Sequence, residues 1–172
     1  LYMINKEIEN HKAGLPSGIK LKLNAITNFK MIEKLYEASC EGVQIKMIVR
    51  GICCLIPGVI GMSENIEVIS IVDKYLEHPR VYIFENGGTP SVYLSSADFM
   101  TRNIENRVEV AVPIYNDILQ KEILDVFEIS WNDNVKARKI NGSNQNIFVK
   151  NSRNEIRSQW KIHEYYYEKS CS

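Results

Sequence analysis

Ile19 to Arg50 reads IKLKLNAITNFKMIEKLYEASCEGVQIKMIVR, and the order of its apolar patterns decides the fold class. In Ile19-Lys20-Leu21-Lys22-Leu23 apolar and cationic residues alternate, so the aliphatic side chains face one way and both lysines the other, the period of a strand. Asn28 can cap the next segment. There Met31, Leu35 and Ala38, flanked by Ile32 and Tyr36, recur at helical spacing until Gly42 stops them. Val43 to Val49 is a second apolar strand. Strand, helix and strand fill about thirty residues, the size of a right-handed crossover between parallel strands. Arg50 and Gly51 come straight after the second strand. The carboxyl ends of parallel strands are where ligands dock on such sheets, so a cation there is placed to meet an anion.

Outward from this unit, residues 1–12 are rich in helix formers, and Gly14, Pro16 and Gly18 break the chain before the first strand, so 1–18 reads as a leading helix and linker. The loop from Gly51 to Asn65 holds Pro57, Gly58 and Gly61, and Ile52, Leu55, Val59 and Ile60 are expected to be buried in it. Strands are expected at 66–71, 80–84 and 91–95, with Gly87-Gly88 turning between the last two, and another at 108–113. Leu119, Ile123, Leu124, Val126 and Phe127 suit a long helix over 117–131 packed on the sheet. A short strand at 135–140 precedes a tail, 141–172, made of a polar loop at 141–146 and a terminal helix at 155–169. The expectation is one α/β domain over 1–172, a mixed central sheet flanked by helices.

Composition narrows the function by exclusion. The 172 residues are 45% hydrophobic, enough for one core. Lys plus Arg and Asp plus Glu both number 21, so composition supplies no attraction for nucleic acid or anionic membrane, and affinity for a polyanion must come from local clustering of cations. Cys40, Cys53, Cys54 and Cys171 lack the paired spacing of a zinc site and favour a reducing compartment. The apolar runs at 43–49 and 52–60 are too short to span a bilayer. The expected location is the cytoplasm, with peripheral contact to the inner membrane face open, and a chain starting Leu1-Tyr2 is read as a piece of a longer protein.

No G-x-x-x-x-G-K-[ST] and no G-x-G-x-x-G after a strand is present, so phosphate binding would fall to side chains. The suggestive set is Arg50 closing one strand, His78 opening another, and Ser95-Ser96-Ala97-Asp98 closing the next, with Arg102 and Arg107 beyond. Histidine can move a proton or accept a phosphoryl group near neutral pH, yet a lone His78 between Glu77 and Pro79 reads as a solvated surface residue first. Arg50 cannot be buried after an apolar strand without an anionic partner; a structural ion pair with Glu64 or Glu67 competes evenly with phosphate binding. Arg102 and Arg107 standing alone read as solvated or paired with Glu105 and Glu109, and Lys20 and Lys22 as the wet face of an edge strand. His11 and His163 have no supporting company.

The runs Ile48-Val-Arg50-Gly-Ile-Cys-Cys-Leu-Ile-Pro-Gly58, Ser63-Glu-Asn-Ile66, Tyr75-Leu-Glu-His78-Pro-Arg-Val-Tyr-Ile-Phe-Glu-Asn-Gly-Gly88 and Leu94-Ser-Ser-Ala-Asp-Phe-Met-Thr-Arg-Asn103 resemble the last domain of the long, histidine-phosphorylating type of polyphosphate kinase. The resemblance covers roughly residues 4–140. It implies a phospholipase D-like fold and a C-terminal catalytic domain that helps move the terminal phosphate of ATP reversibly onto polyphosphate. The phosphohistidine intermediate would lie on the preceding catalytic domain of the same chain. By this match His78 is a second catalytic histidine, Arg50 a ligand to nucleotide phosphates and Arg107 part of the nucleotide-binding wall, with Lys20, Lys22 and Arg80 as candidates for a polyphosphate path. No residue here is assigned to a metal; magnesium is expected in the complete enzyme with ligands outside this stretch, and a homo-oligomer when complete. Phe99 stands where the family commonly has tryptophan. The phospholipase D pattern H-x-K-x-x-x-x-D leaves a trace in His78, Arg80 and Glu85, with Ser95-Ser96 where that pattern has its serine. Arginine for lysine and glutamate for aspartate count against the first competing reading, a phosphodiesterase. The second is a non-catalytic module that binds polyphosphate or nucleotide.

Overall fold

A computed structural model describes residues 1–142, 146–151 and 154–171. Its elements are α1 (Tyr2–Lys12), β1 (Ile19–Leu23), α2 (Phe29–Cys40), β2 (Ile45–Val49), β3 (Ile66–Ile71), β4 (Val81–Phe84), β5 (Ser91–Ser95), α3 (Thr101–Asn106), β6 (Ala111–Ile114), α4 (Asp117–Trp131), β7 (Ala137–Ile140) and α5 (Ser158–Ser170). The strands form one mixed sheet in the order β6-β5-β4-β1-β2-β3-β7. β1, β2 and β3 run parallel, with Ile19 beside Ile45 and Ile45 beside Ile66, and the remaining neighbours pair antiparallel. α2 is the crossover from β1 to β2, and the Asn28 side chain caps it by accepting from the Met31 amide at 3.1 Å.

The strand period sorts the core into two faces. Ile19, Leu21 and Leu23 of β1 and Ile45, Met47 and Val49 of β2 pack with α1 and α2 through Ile4, Ile8, Leu35 and Ala38. Ile48, Ile69, Ile71 and Ile83 gather around Phe127 of α4 on the opposite face. β1 is the middle strand of seven, not an edge, and its lysines do not face water. Lys20 pairs with Glu85 at 3.3 Å and with Glu128 of α4 at 3.2 Å. Lys22 is buried and pairs with Glu77 at 2.5 Å. The alternation of β1 was legible in sequence, but the helix that covers its lysines arrives about a hundred residues later.

Other departures are local. Leu55 is buried as expected, whereas Ile52, Val59 and Ile60 are exposed, Ile60 by 88%. β6 begins at Ala111 and β7 at Ala137, each later than expected, and α5 spans Ser158–Ser170. α3 was not anticipated: TRNIEN has one buried residue, Asn103, and no apolar stripe to announce a helix. Residues 143–145 of the polar loop lie outside the described residues. Among the described residues no helix is long and apolar enough to cross a membrane.

Candidate active site

Four chain segments meet at the carboxyl edge of β1 and β2. Parallel pairing brings Asn24 and Arg50 there together, each one residue past its strand. β4 runs antiparallel to β1 with Val81 beside Lys22, so the residues leading into β4, His78 and Arg80, reach the same edge. β5 runs antiparallel to β4 with Leu94 beside Val81, so Ser96 to Asp98 leave the sheet at that edge too.

Asp98 ties the segments together. It is only 1% exposed, and its Oδ1 accepts from the amides of Asn24 at 2.7 Å and Ala25 at 3.1 Å. Its Oδ2 accepts from Arg80 Nη2 at 2.8 Å. Burial opposes ionisation of Asp98, but the Arg80 guanidinium and the two amides outweigh it and hold the carboxyl below the usual carboxylate range. Arg80, so anchored, meets the exposed ring of His78 from Nη1 to Nδ1 at 3.3 Å and from Nη2 to Nε2 at 3.1 Å. A guanidinium has no lone pair, so a ring nitrogen bonded to it must be the acceptor. The half-buried Tyr82 hydroxyl donates to the Ala97 carbonyl and fixes the turn that carries Asp98. Burial pushes that phenol up to about 12, so it remains a donor.

Arg50 donates from Nη2 to the Asn24 side-chain carbonyl. Among the described residues it forms no ion pair, so Glu64 and Glu67 are not its partners. The Nε of Arg50 and the Nε of Arg80 are both buried without a hydrogen-bond partner. Arg107 follows α3, and Glu109 mediates between it and the cluster. Hydrogen bonds from Ser96 and then from Asn103 hold the Glu109 carboxyl below its usual range, and Arg107 and Arg80 both add to the effect. The candidates therefore divide. His78 and Arg80 touch, and Arg50 joins them through Asn24 and Asp98. The exposed Arg107 bears on the cluster through its charge on Glu109, while Lys20 and Lys22 are turned toward α4 and Glu85 lies at the far end of β4 beside Lys20. Asn24 was overlooked in sequence, because an asparagine after a strand signals a turn before it signals a bridge.

The seven-stranded mixed sheet with its flanking helices has a phospholipase D-like fold. Two solved structures share the fold: the phospholipase D family member Nuc from Salmonella typhimurium, at TM-score 0.58 and 17% identity over 82% of this chain and 90% of that one, and NucT from Helicobacter pylori, at 0.52 and 12% over 74% and 86%. Residues 1–159 match the polyphosphate kinase C-terminal domain 2, and the chain belongs to that family. It is 51% identical to polyphosphate kinase of Escherichia coli K12 over 95% of its own length and 24% of that protein's. Polyphosphate kinase from Vibrio cholerae is 48% identical over 95% of this chain and 23% of its own. The crystal structure of polyphosphate kinase from Porphyromonas gingivalis superimposes at TM-score 0.95 with 45% identity, over 98% of this chain and 26% of that one. The chain thus spans about a quarter of the length of these relatives.

Proposed function

We propose that this domain supplies one half of the phosphoryl-transfer site of an ATP:polyphosphate phosphotransferase, with the phosphohistidine on the preceding domain of the same chain. The observation that carries the reading is the edge cluster itself: Arg80, in contact with the exposed His78, and Arg50, bonded to Asn24 at the same edge, each keep a buried Nε free of partners. Phosphoryl transfer spreads negative charge over the moving group, and catalysis rests on positioning and on cations that stabilise that charge. Arg50 offers its planar guanidinium to two phosphate oxygens of the nucleotide. His78 donates a proton or hydrogen bond as ADP leaves or as phosphate passes to the chain end. Arg107 lines the nucleotide side, and Arg80, at the same edge, meets polyphosphate.

Magnesium supplies charge neutralisation in such reactions, but Asp98, the buried carboxylate of the cluster, does not fit it. Both oxygens of Asp98 are committed to amides and to Arg80, and the described residues hold no group of three or more His, Cys, Asp or Glu able to bind a metal ion. Its ligands are assigned to the preceding domain, and no step here depends on it. Assembly of the complete enzyme as a homo-oligomer, in the cytoplasm or at its membrane face, belongs to the same proposal.

The test is His78→Ala in the full-length protein. Synthesis of polyphosphate from ATP should fall by about two orders of magnitude or more, with an unchanged melting temperature because His78 is exposed. Near-normal turnover in the folded variant would remove His78 from the mechanism.

A further inference from the structure

The segment 72–80 that presents His78 contains no helix or strand, and Tyr75 and Leu76 within it are exposed. Its shape is therefore set by bonds from outside, and these come from two places that the chemistry leaves unused. Arg157, at the start of α5, grips Asp73 with two parallel bonds, Nε to Oδ2 at 2.8 Å and Nη2 to Oδ1 at 2.6 Å. Gln159 binds the Tyr75 backbone on both sides, accepting from its amide at 2.9 Å and donating to its carbonyl at 2.8 Å. The same Gln159 amide donates to Glu77 Oε1 at 2.9 Å. From the sheet side, Lys22 Nζ donates to Glu77 Oε2 at 2.5 Å and lies 3.4 Å from Ser130 Oγ of α4. Glu77, the residue immediately before His78, is thus held by both of its oxygens. The start of α5 is itself fastened to the end of α4, since the fully buried Asp133 accepts from the Ser158 amide at 2.7 Å.

We propose that Lys22, Glu77 and Gln159, backed by the Arg157–Asp73 pair, are positioning residues that set where the His78 ring stands against Arg80. This rests on the role proposed for His78 and extends it to the terminal helix, most of which lies beyond the region matched by the family. Lys22 then serves the reaction through Glu77 and not by touching polyphosphate. The physical reason is the tolerance of transfer by positioning, where a misplacement of about 1 Å can cost about a hundredfold in rate. A segment without secondary structure meets that tolerance only when pinned at several points.

The experiment measures kcat and the KM for ATP of full-length protein carrying Gln159→Ala, Arg157→Ala or Glu77→Gln, each made in the wild-type and in the His78→Ala background. In the wild-type background each substitution should lower kcat by about tenfold, the effect of losing one to three hydrogen bonds, with KM for ATP little changed. In the His78→Ala background the same substitutions should leave the residual rate as it was, because they act only through the ring already removed. Arg157→Ala also removes the partner of a buried carboxylate, so a variant that fails to fold is set aside and Gln159→Ala decides. Wild-type kcat for Gln159→Ala, or equal losses in both backgrounds, overturns the proposal. Full turnover in His78→Ala alone would sink the role given to His78 and this inference with it, whereas an inactive His78→Ala beside a fully active Gln159→Ala overturns only the inference.

Discussion

β4 is only four residues long, and its two ends treat charge in opposite ways. At the end entered through His78 and Arg80, Arg80 and Arg50 each keep a buried Nε without a partner. At the end left through Glu85, Lys20, Glu85 and Glu7 each close on a partner. Lys20 meets Glu85 and Glu128, and the buried Glu7 accepts from the Gly18 amide at 2.8 Å and the Asn86 amide at 2.7 Å. Asn10 Nδ2 and Asn86 Oδ1 are also buried without partners at this second end, so the contrast lies in charge alone: the first, open end leaves guanidinium N–H groups free for an arriving anion, and the second, closed end pairs its ionised groups within the fold.

Breaking the open end should have the largest effect on activity. Arg50→Lys in the full-length protein replaces a planar fork by a point charge that cannot bind two phosphate oxygens side by side. ATP-dependent turnover and ATP affinity should each drop by about tenfold or more, as read from initial rates across a range of ATP concentrations. Matching values for both would make Arg50 a structural partner of Asn24.

Asp98→Asn probes the same end from beneath. It removes the acceptor of Arg80 while the Asn24 and Ala25 amides keep one oxygen, so a loss of about 1–3 kcal/mol in chemical denaturation is expected. The pH dependence is set by the sign of the shift. The folded carboxyl sits below its ordinary value, so its contribution is present above the unfolded pKa of 3.8 and disappears as pH falls through the folded one. The variant should therefore lose less stability than wild type as pH falls below about 4, and parallel curves for the two would show that Asp98 does not set the acid limb.

How far the sequence reached this contrast depends on the distance between partners. The β1-α2-β2 unit was legible because its signals are local: alternation at 19–23, the Asn28 cap and the apolar stripe of Met31, Leu35 and Ala38. Arg50 could be singled out because a cation after a parallel strand is placed by that unit alone, whereas His78 read as a solvated residue first and was picked out by the resemblance. The rest depends on contacts far apart in the chain. Asp98 bonds amides more than seventy residues earlier, α4 covers Lys22 from a hundred residues away, and Gln159 reaches back to Glu77 across 82 positions. The exposure of Ile52, Val59 and Ile60 escaped for a related reason, since apolar composition in a loop does not say which side chains find a neighbour.

At the closed end the effects should be on folding alone. Glu7→Gln puts an amide N–H2 against one of two backbone donors, so about 1 kcal/mol or more should be lost in denaturant, while turnover stays at the wild-type level. A fall in kcat without a fall in stability would mean that the closed end communicates with the cluster.

The smallest effect is expected at Glu85, where sequence and geometry pointed in different directions. Counting from His78 through Arg80 places Glu85 at the third position of the phospholipase D pattern, which would give it a share in the chemistry. The structure puts it beyond Phe84, with β4 between it and Arg80, and pairs it at 3.3 Å with Lys20. Lys20 keeps a second acceptor in Glu128 at 3.2 Å, so removing the Glu85 charge leaves no cation stranded. Partly exposed pairs of this kind contribute about 0–1 kcal/mol, and Glu85→Gln should sit at the lower part of that range in denaturant, with kcat and the KM for ATP within about twofold of wild type. Assayed beside Arg50→Lys, it measures the difference between the two ends of one strand in a single comparison. A loss of turnover in Glu85→Gln approaching that of Arg50→Lys would return Glu85 to the catalytic pattern and would mean that partnered charge at the far end of β4 is no sign of a purely structural role.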